Sequence, residues 1–132
     1  MVMLVGVVYF VIGFAFSALD PFISDQVRFR WRLAAWVASA AVYAAHIGYE
    51  NFRLANSPRA TALHASMAAA FGAFLLAVAA TVHKVMVPSH APYWRFALAL
   101  VVWPIITALP AFLVALVVAA VLARLPTKRL AR

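Results

Sequence analysis

The fold is decided by residues 32–53, which read RLAAWVASAAVYAAHIGYENFR. Polar residues recur in this stretch at alternating intervals of four and three, namely at Arg32, Trp36, Ser39, Tyr43, His46, Glu50 and Arg53. Because this spacing nearly matches the 3.6-residue turn of an α-helix, the seven side chains form one polar face. Polar side chains are costly in hydrocarbon, so we predict that this polar face contacts protein or a water-filled cavity rather than lipid.

The composition of the whole chain points to a membrane protein. Of its 132 residues, 68% are hydrophobic and only 11% are charged. A soluble domain of this length could not hide so much apolar surface, because small domains keep a large fraction of their surface in water. We therefore predict an all-α integral membrane protein with four transmembrane helices in a small bundle.

The predicted spans cover almost the entire chain, which we interpret as a single domain, residues 1–132. Each is close to the ~20 residues needed to cross a bilayer. They lie at about residues 2–19, 31–54, 59–82 and 96–123, followed by a basic tail at 124–132. Asp20-Pro21 is expected to end the first helix, and Ser57-Pro58 to cap and begin the third. A cleaved signal sequence is the alternative for the first span, although no basic residue precedes it.

Small residues predict how these helices pack. In the third span, alanine repeats every four residues, and Ala68 with Gly72 adds another step of the same spacing. Such repeats let helix backbones approach closely in a membrane. We expect the second and third helices to form a tight antiparallel hairpin. The fourth contains Pro104 and Pro110, so we expect it to be kinked and to face lipid.

The net charge of +8 favours a lipid partner over nucleic acid, because the basic residues lie at the ends of the predicted helices. We expect anionic headgroups to contact the interfacial arginines Arg28, Arg30, Arg32, Arg53 and Arg59. The two sides of the membrane carry six and five basic residues, so orientation is nearly undetermined. We predict cytoplasmic termini in a bacterial inner membrane, with dual topology as the alternative. Four short helices bury little area, which favours a homodimer or a larger membrane complex.

Candidate functional residues concentrate near the turn at Asn56. Residues equally distant from this turn along the second and third helices should lie at similar depth in the membrane. On this basis we expect one cluster, opening toward Arg53 and Arg59, formed by Tyr43, His46, Glu50, Thr61 and His64.

Three functions are compatible with this cluster. The first is a structural or accessory membrane subunit in which the polar residues fix helix packing. The second is a small proton-coupled transporter or channel using Glu50 with the histidines. The third is a redox subunit, with His46, Glu50 and His64 holding a metal, or the two histidines holding a haem. The chain has no cysteine and none of the common hydrolase, metalloprotease or nucleotide-binding motifs, so we expect neither enzymatic activity nor a cofactor.

Overall fold

The computed structural model describes residues 1–86 and 93–125, which form four α-helices. Their bounds are α1 Val2–Leu19, α2 Asp25–Phe52, α3 Pro58–Met86 and α4 Tyr93–Arg124. A short 3₁₀ turn, Asp20–Phe22, connects α1 to α2. Helices α3 and α4 extend further than expected into the predicted loop between them. The rest of that loop, residues 87–92, and the tail beyond residue 125 lie outside the described residues.

The proline-based predictions of helix ends are confirmed. Helix α1 stops at Leu19, directly before Asp20-Pro21. Helix α3 begins at Pro58, and the Ser57 hydroxyl accepts a hydrogen bond from the Ala60 amide at 3.3 Å. Helix α4 continues through both of its prolines.

The prediction of four membrane spans is supported for three of the described helices. Helices α1, α3 and α4 are each long and apolar enough to cross a membrane, which indicates a membrane protein. Helix α2 is not among these candidates. The physical reason is its own polar face, because arginine, histidine and glutamate lower the apolar content of an otherwise Ala- and Val-rich helix.

Helix α3 lies at the centre of the bundle, and it packs most extensively against α4 and then α1. The expected tight hairpin of α2 with α3 is therefore wrong as a description of the main contact. The central apolar cluster joins three helices and consists of Ile47, Ala62, Ala65, Ala115 and Ala119. Alanine dominates it because small side chains let α3 and α4 approach closely.

Helices α1 and α3 approach each other closely at two glycines, Gly6 and Gly72. A Cβ atom placed on Gly72 would lie 2.7 Å from the Cβ of Tyr9 and 2.9 Å from the carbonyl oxygen of Gly6. A Cβ on Gly6 would lie 2.6 Å from the Phe71 ring and 2.9 Å from the Ala68 carbonyl oxygen. The Ala68–Gly72 step thus provides the close approach expected of it, with α1 as the partner.

The polar face of α2 contacts protein along only part of its length. Its C-terminal half turns inward, where His46 and Glu50 are buried and Tyr43 is partly buried. Its N-terminal half turns outward, and Trp36 is 77% exposed. The periodicity places these residues on one face, but α2 lies against the bundle along only part of that face.

Candidate functional site

Glu50 is the central residue of the site, and it is 1% exposed. Its Oε2 atom accepts a hydrogen bond from Asn56 Nδ2 and lies 3.0 Å from His64 Nδ1. Its Oε1 atom lies 3.5 Å from His46 Nε2. An ionised carboxylate only accepts hydrogen bonds, so Asn56 and His64 act as donors toward it. A buried carboxylate is thus surrounded by one amide and two histidines, which we call the Glu50 cluster.

The turn after α2 brings Asn56 over Glu50. Helix α2 ends at Phe52, and Ala55 takes a positive φ of 50°. This left-handed residue folds the chain back, so that the Asn56 amide donates to the Glu50 carbonyl oxygen at 3.2 Å. The same turn starts α3 in the direction that places His64 beside Glu50. The backbone and side chain of Asn56 therefore both bind residue 50.

The two histidines of the cluster have different environments. His64 is partly exposed, with 39% of its side chain accessible, whereas His46 is 3% exposed. The separation of His46 Nε2 from Glu50 exceeds that of an ordinary hydrogen bond. Within the described residues, neither ring nitrogen of His46 has a hydrogen-bond partner. The cluster thus extends from an accessible imidazole, through a buried carboxylate, to a buried imidazole with unused hydrogen-bonding capacity.

Thr61 and Tyr43, the other two residues of the predicted cluster, are buried and partly buried. Thr61 is completely buried, and its Oγ1 atom has no partner among the described residues. Tyr43 donates its hydroxyl hydrogen to the Ala111 carbonyl oxygen, which ties α2 to α4. In α1, the buried Tyr9 hydroxyl is likewise without a partner in the described part of the chain. Buried polar groups are rarely left unpaired, so these atoms stand apart from most buried polar groups in proteins.

The metal-site prediction finds no support in this geometry. The structure brings His46, Glu50 and His64 together, but no group of three or more His, Asp or Glu residues in ranges 1–86 and 93–125 is arranged to hold a metal ion. The Oε2 atom of Glu50 is already engaged by Asn56 and His64.

The predicted interfacial arginines lie at the two ends of α2 and at the start of α3. Arg53 and Arg59 are exposed near the Glu50 cluster in sequence. At the other end, Arg32 pairs with Asp20 at 3.1 Å and Arg28 pairs with Asp25 at 2.5 Å. The Glu50 cluster is therefore one polar region, and the junction of α1 and α2 is another.

Asn56 is the site residue that sequence reasoning missed. In the sequence, Asn56-Ser57-Pro58 indicates only a turn, since asparagine is common in turns for local backbone reasons. The available signal was its position six residues after a buried carboxylate, close enough for a returning chain to reach it. Comparison with known protein families, curated proteins and solved structures finds no match to this chain.

Proposed function

We propose that this chain is a small proton-handling membrane protein in which the Glu50 cluster takes up and passes protons. The observation that carries the proposal is the graded exposure of the cluster. His64 reaches the surface, Glu50 is fully buried beside it, and His46 lies deeper with both ring nitrogens unpartnered. Histidine exchanges protons near neutral pH, and intramembrane carboxylates beside histidine are typical of proton pathways.

Buried polar atoms without hydrogen-bond partners also support the proposal. A polar network that serves only helix packing gains most when every member is hydrogen-bonded, because each unpaired buried polar group costs free energy. Here His46 keeps both ring nitrogens unpaired beside a fully buried carboxylate. This pattern favours a hydrated, exchanging site. The proposal is a proton-linked transporter or channel and names no co-transported substrate.

A structural or accessory subunit is the second candidate, and a different observation favours it. Asn56 and His64 both bind Glu50, so the carboxylate ties the end of α2 to the following turn and to α3. For this function, the network fixes helix packing and moves no protons. The partner would be another membrane subunit or a second copy of the chain.

Proton flux in reconstituted vesicles tests the proposal. The protein is placed in liposomes containing a pH-sensitive dye, and a potassium diffusion potential drives protons inward. We expect the dye to respond faster than in protein-free liposomes. Glu50→Gln should abolish this response while keeping a polar side chain of the same size. His83→Ala, which changes an exposed histidine in α3 outside the Glu50 cluster, is the matched control and should retain it.

Thermal unfolding of the same variants separates the two candidates. If the protein conducts protons as proposed, Glu50→Gln loses the proton flux, but its thermal unfolding midpoint stays within a few degrees of that of the unsubstituted protein. Glu50→Ala leaves Asn56 and His64 without an acceptor and should cost about 1–3 kcal/mol under either candidate. A protein whose flux equals that of empty liposomes, and which Glu50→Gln destabilises as much as Glu50→Ala, would favour the structural subunit and refute the proton proposal.

A further inference from the structure

A second polar region lies at the other end of α2, away from the Glu50 cluster. A cavity of about 290 Å³ opens there between the end of α1 and the first turns of α2. Its lining includes Phe16 and Asp20 from the α1 side, and Trp31, Arg32 and Trp36 from α2. Asp20 is close to the end of the apolar α1 segment, which runs to Phe22. In an α1 that spans a membrane, this position corresponds to the change from hydrocarbon to headgroups.

The accessible charge in this cavity is positive. Asp20 Oδ2 accepts a hydrogen bond from Arg32 at 3.1 Å, and Asp20 Oδ1 is buried on the side of Arg28. The Arg32 side chain is 66% exposed, against 27% for Asp20. Since a guanidinium has five N–H donors and Asp20 engages only one of its nitrogens, Arg32 keeps donors for another acceptor. Residues 20–32 contain three arginines and two aspartates, so the local formal charge is also positive.

Two indole rings give the cavity apolar walls. Trp31 is fixed in place, because its Nε1 atom donates to the Phe16 carbonyl oxygen at 3.1 Å and its ring packs on the Phe16 ring with centroids 4.5 Å apart. Trp36 is largely exposed. Tryptophan concentrates at membrane interfaces because its ring is apolar and its N–H is polar. A bound molecule would meet a guanidinium and apolar ring surface together.

We propose that this cavity binds the phosphate of an anionic phospholipid headgroup through Arg32. A guanidinium matches the geometry of phosphate oxygens and binds them with charge-assisted hydrogen bonds. The aromatic walls suit the glycerol and first acyl carbons of the same lipid. An organic cation is disfavoured as a ligand, because the Asp20 carboxylate in the cavity lining already pairs with Arg32 and its Oδ1 atom is buried. Lipid binding at this cavity does not depend on the proton-handling role of Glu50.

Intrinsic tryptophan fluorescence provides a local reporter for binding. The chain has four tryptophans, and replacing Trp94 and Trp103 with phenylalanine leaves only the two in the cavity. Short-chain phosphatidylglycerol is then titrated into the protein in non-ionic detergent. We expect a saturable change in emission. The same titration with phosphatidylcholine of equal chain length should require higher concentrations, because that lipid has no net charge.

Variants of Arg32 and Asp20, which form the ion pair, distinguish a direct contact of Arg32 with the lipid phosphate from general electrostatic attraction. Arg32→Gln should weaken phosphatidylglycerol binding by about tenfold or more, since it removes charge-assisted hydrogen bonds. Arg30→Gln removes the same charge from an exposed neighbour and should have a much smaller effect. Asp20→Asn should tighten binding, because it releases the guanidinium from its carboxylate. Thermal unfolding identifies any variant that fails to fold, and Arg32→Lys replaces Arg32→Gln in that case.

Four results would overturn the proposal. If Arg30→Gln and Arg32→Gln weakened phosphatidylglycerol binding equally, the binding would reflect general electrostatic attraction and not a contact with Arg32. A phosphatidylcholine titration that matches phosphatidylglycerol and is insensitive to Arg32 would mean simple partitioning of lipid. Inorganic phosphate acting as strongly as the lipid would assign the cavity to a free anion. Saturable binding of choline that Asp20→Asn abolishes would make it a cation site.

Discussion

At the scale of single residues, the hydroxyl of Tyr43 makes the only described side-chain link from α2 to the backbone of α4. Tyr43→Phe keeps the ring and removes that hydrogen bond. Interhelical hydrogen bonds in membrane proteins average ~0.6 kcal/mol, so we expect a loss of about 0.5–1.5 kcal/mol in unfolding free energy. Denaturation in mixed detergent micelles measures it. Tyr49→Phe, at an exposed position of the same helix, should change nothing, and equal effects of the two variants would contradict this role.

The sequence predicted three members of the Glu50 cluster, Glu50 and the two histidines, but not the fourth, Asn56. Counting residues from the turn correctly brought Glu50 and His64 together, because two helices joined by a short turn must run back along each other. It did not reveal Asn56, whose contribution depends on the left-handed conformation of Ala55. Alanine gives no sequence signal for that conformation, which glycine or asparagine usually adopts.

At the scale of helices, the two glycines at the crossing of α1 and α3 decide how closely those helices approach. Gly72→Ala would force a Cβ to within 2.9 Å of the Gly6 carbonyl oxygen, which is backbone and cannot rotate away. We expect a loss of about 1–3 kcal/mol, measured by thermal or detergent-induced unfolding.

Gly48→Ala is the matched control for that change. The nearest atom to a Cβ at Gly48 is 4.0 Å away, in the Phe52 ring. The substitution should therefore be neutral or stabilise the helix by up to ~1 kcal/mol. If Gly72→Ala were tolerated as well as Gly48→Ala, the close crossing of α1 and α3 would be wrong.

The periodic pattern of α2 was a reliable guide to which residues share a face but a poor guide to what that face contacts. Arg32 and Glu50 lie on the same face, yet one is largely exposed and the other is buried. A repeat of three and four residues fixes angular position on the helix and contains no information about how far a neighbouring helix extends. Likewise, the small-residue repeat of α3 predicted a close contact, but at the Ala68–Gly72 step the partner is α1 and not the expected α2.

At the scale of the whole molecule, the number of membrane crossings is the central question. Composition identifies α1, α3 and α4 as candidate spans and leaves out α2. Nevertheless, α2 packs against all three of the other helices. Trp31 of α2 contacts the end of α1 and Glu50 contacts the start of α3, so we predict that α2 crosses the membrane with the other helices.

Cysteine labelling tests the crossing, because the chain has no cysteine of its own. Ser24 and Ser57 are exposed residues that flank α2. We expect Ser24→Cys and Ser57→Cys to react with a membrane-impermeant maleimide from opposite sides of the vesicle. Ser66→Cys, at a buried position in α3, should resist labelling until detergent is added. Labelling of both flanking positions from the same side would place α2 along the surface.

The central position of α3 also has a consequence for biosynthesis. Helices α1 and α2 are synthesised first. The residues that pack against Gly6 of α1 and Glu50 of α2 belong to α3, and α3 in turn packs most extensively against α4. The first two helices therefore lack their main neighbours until the second half of the chain is made. During that interval Glu50 has no His64 beside it, so we expect the packed bundle to form near the end of translation.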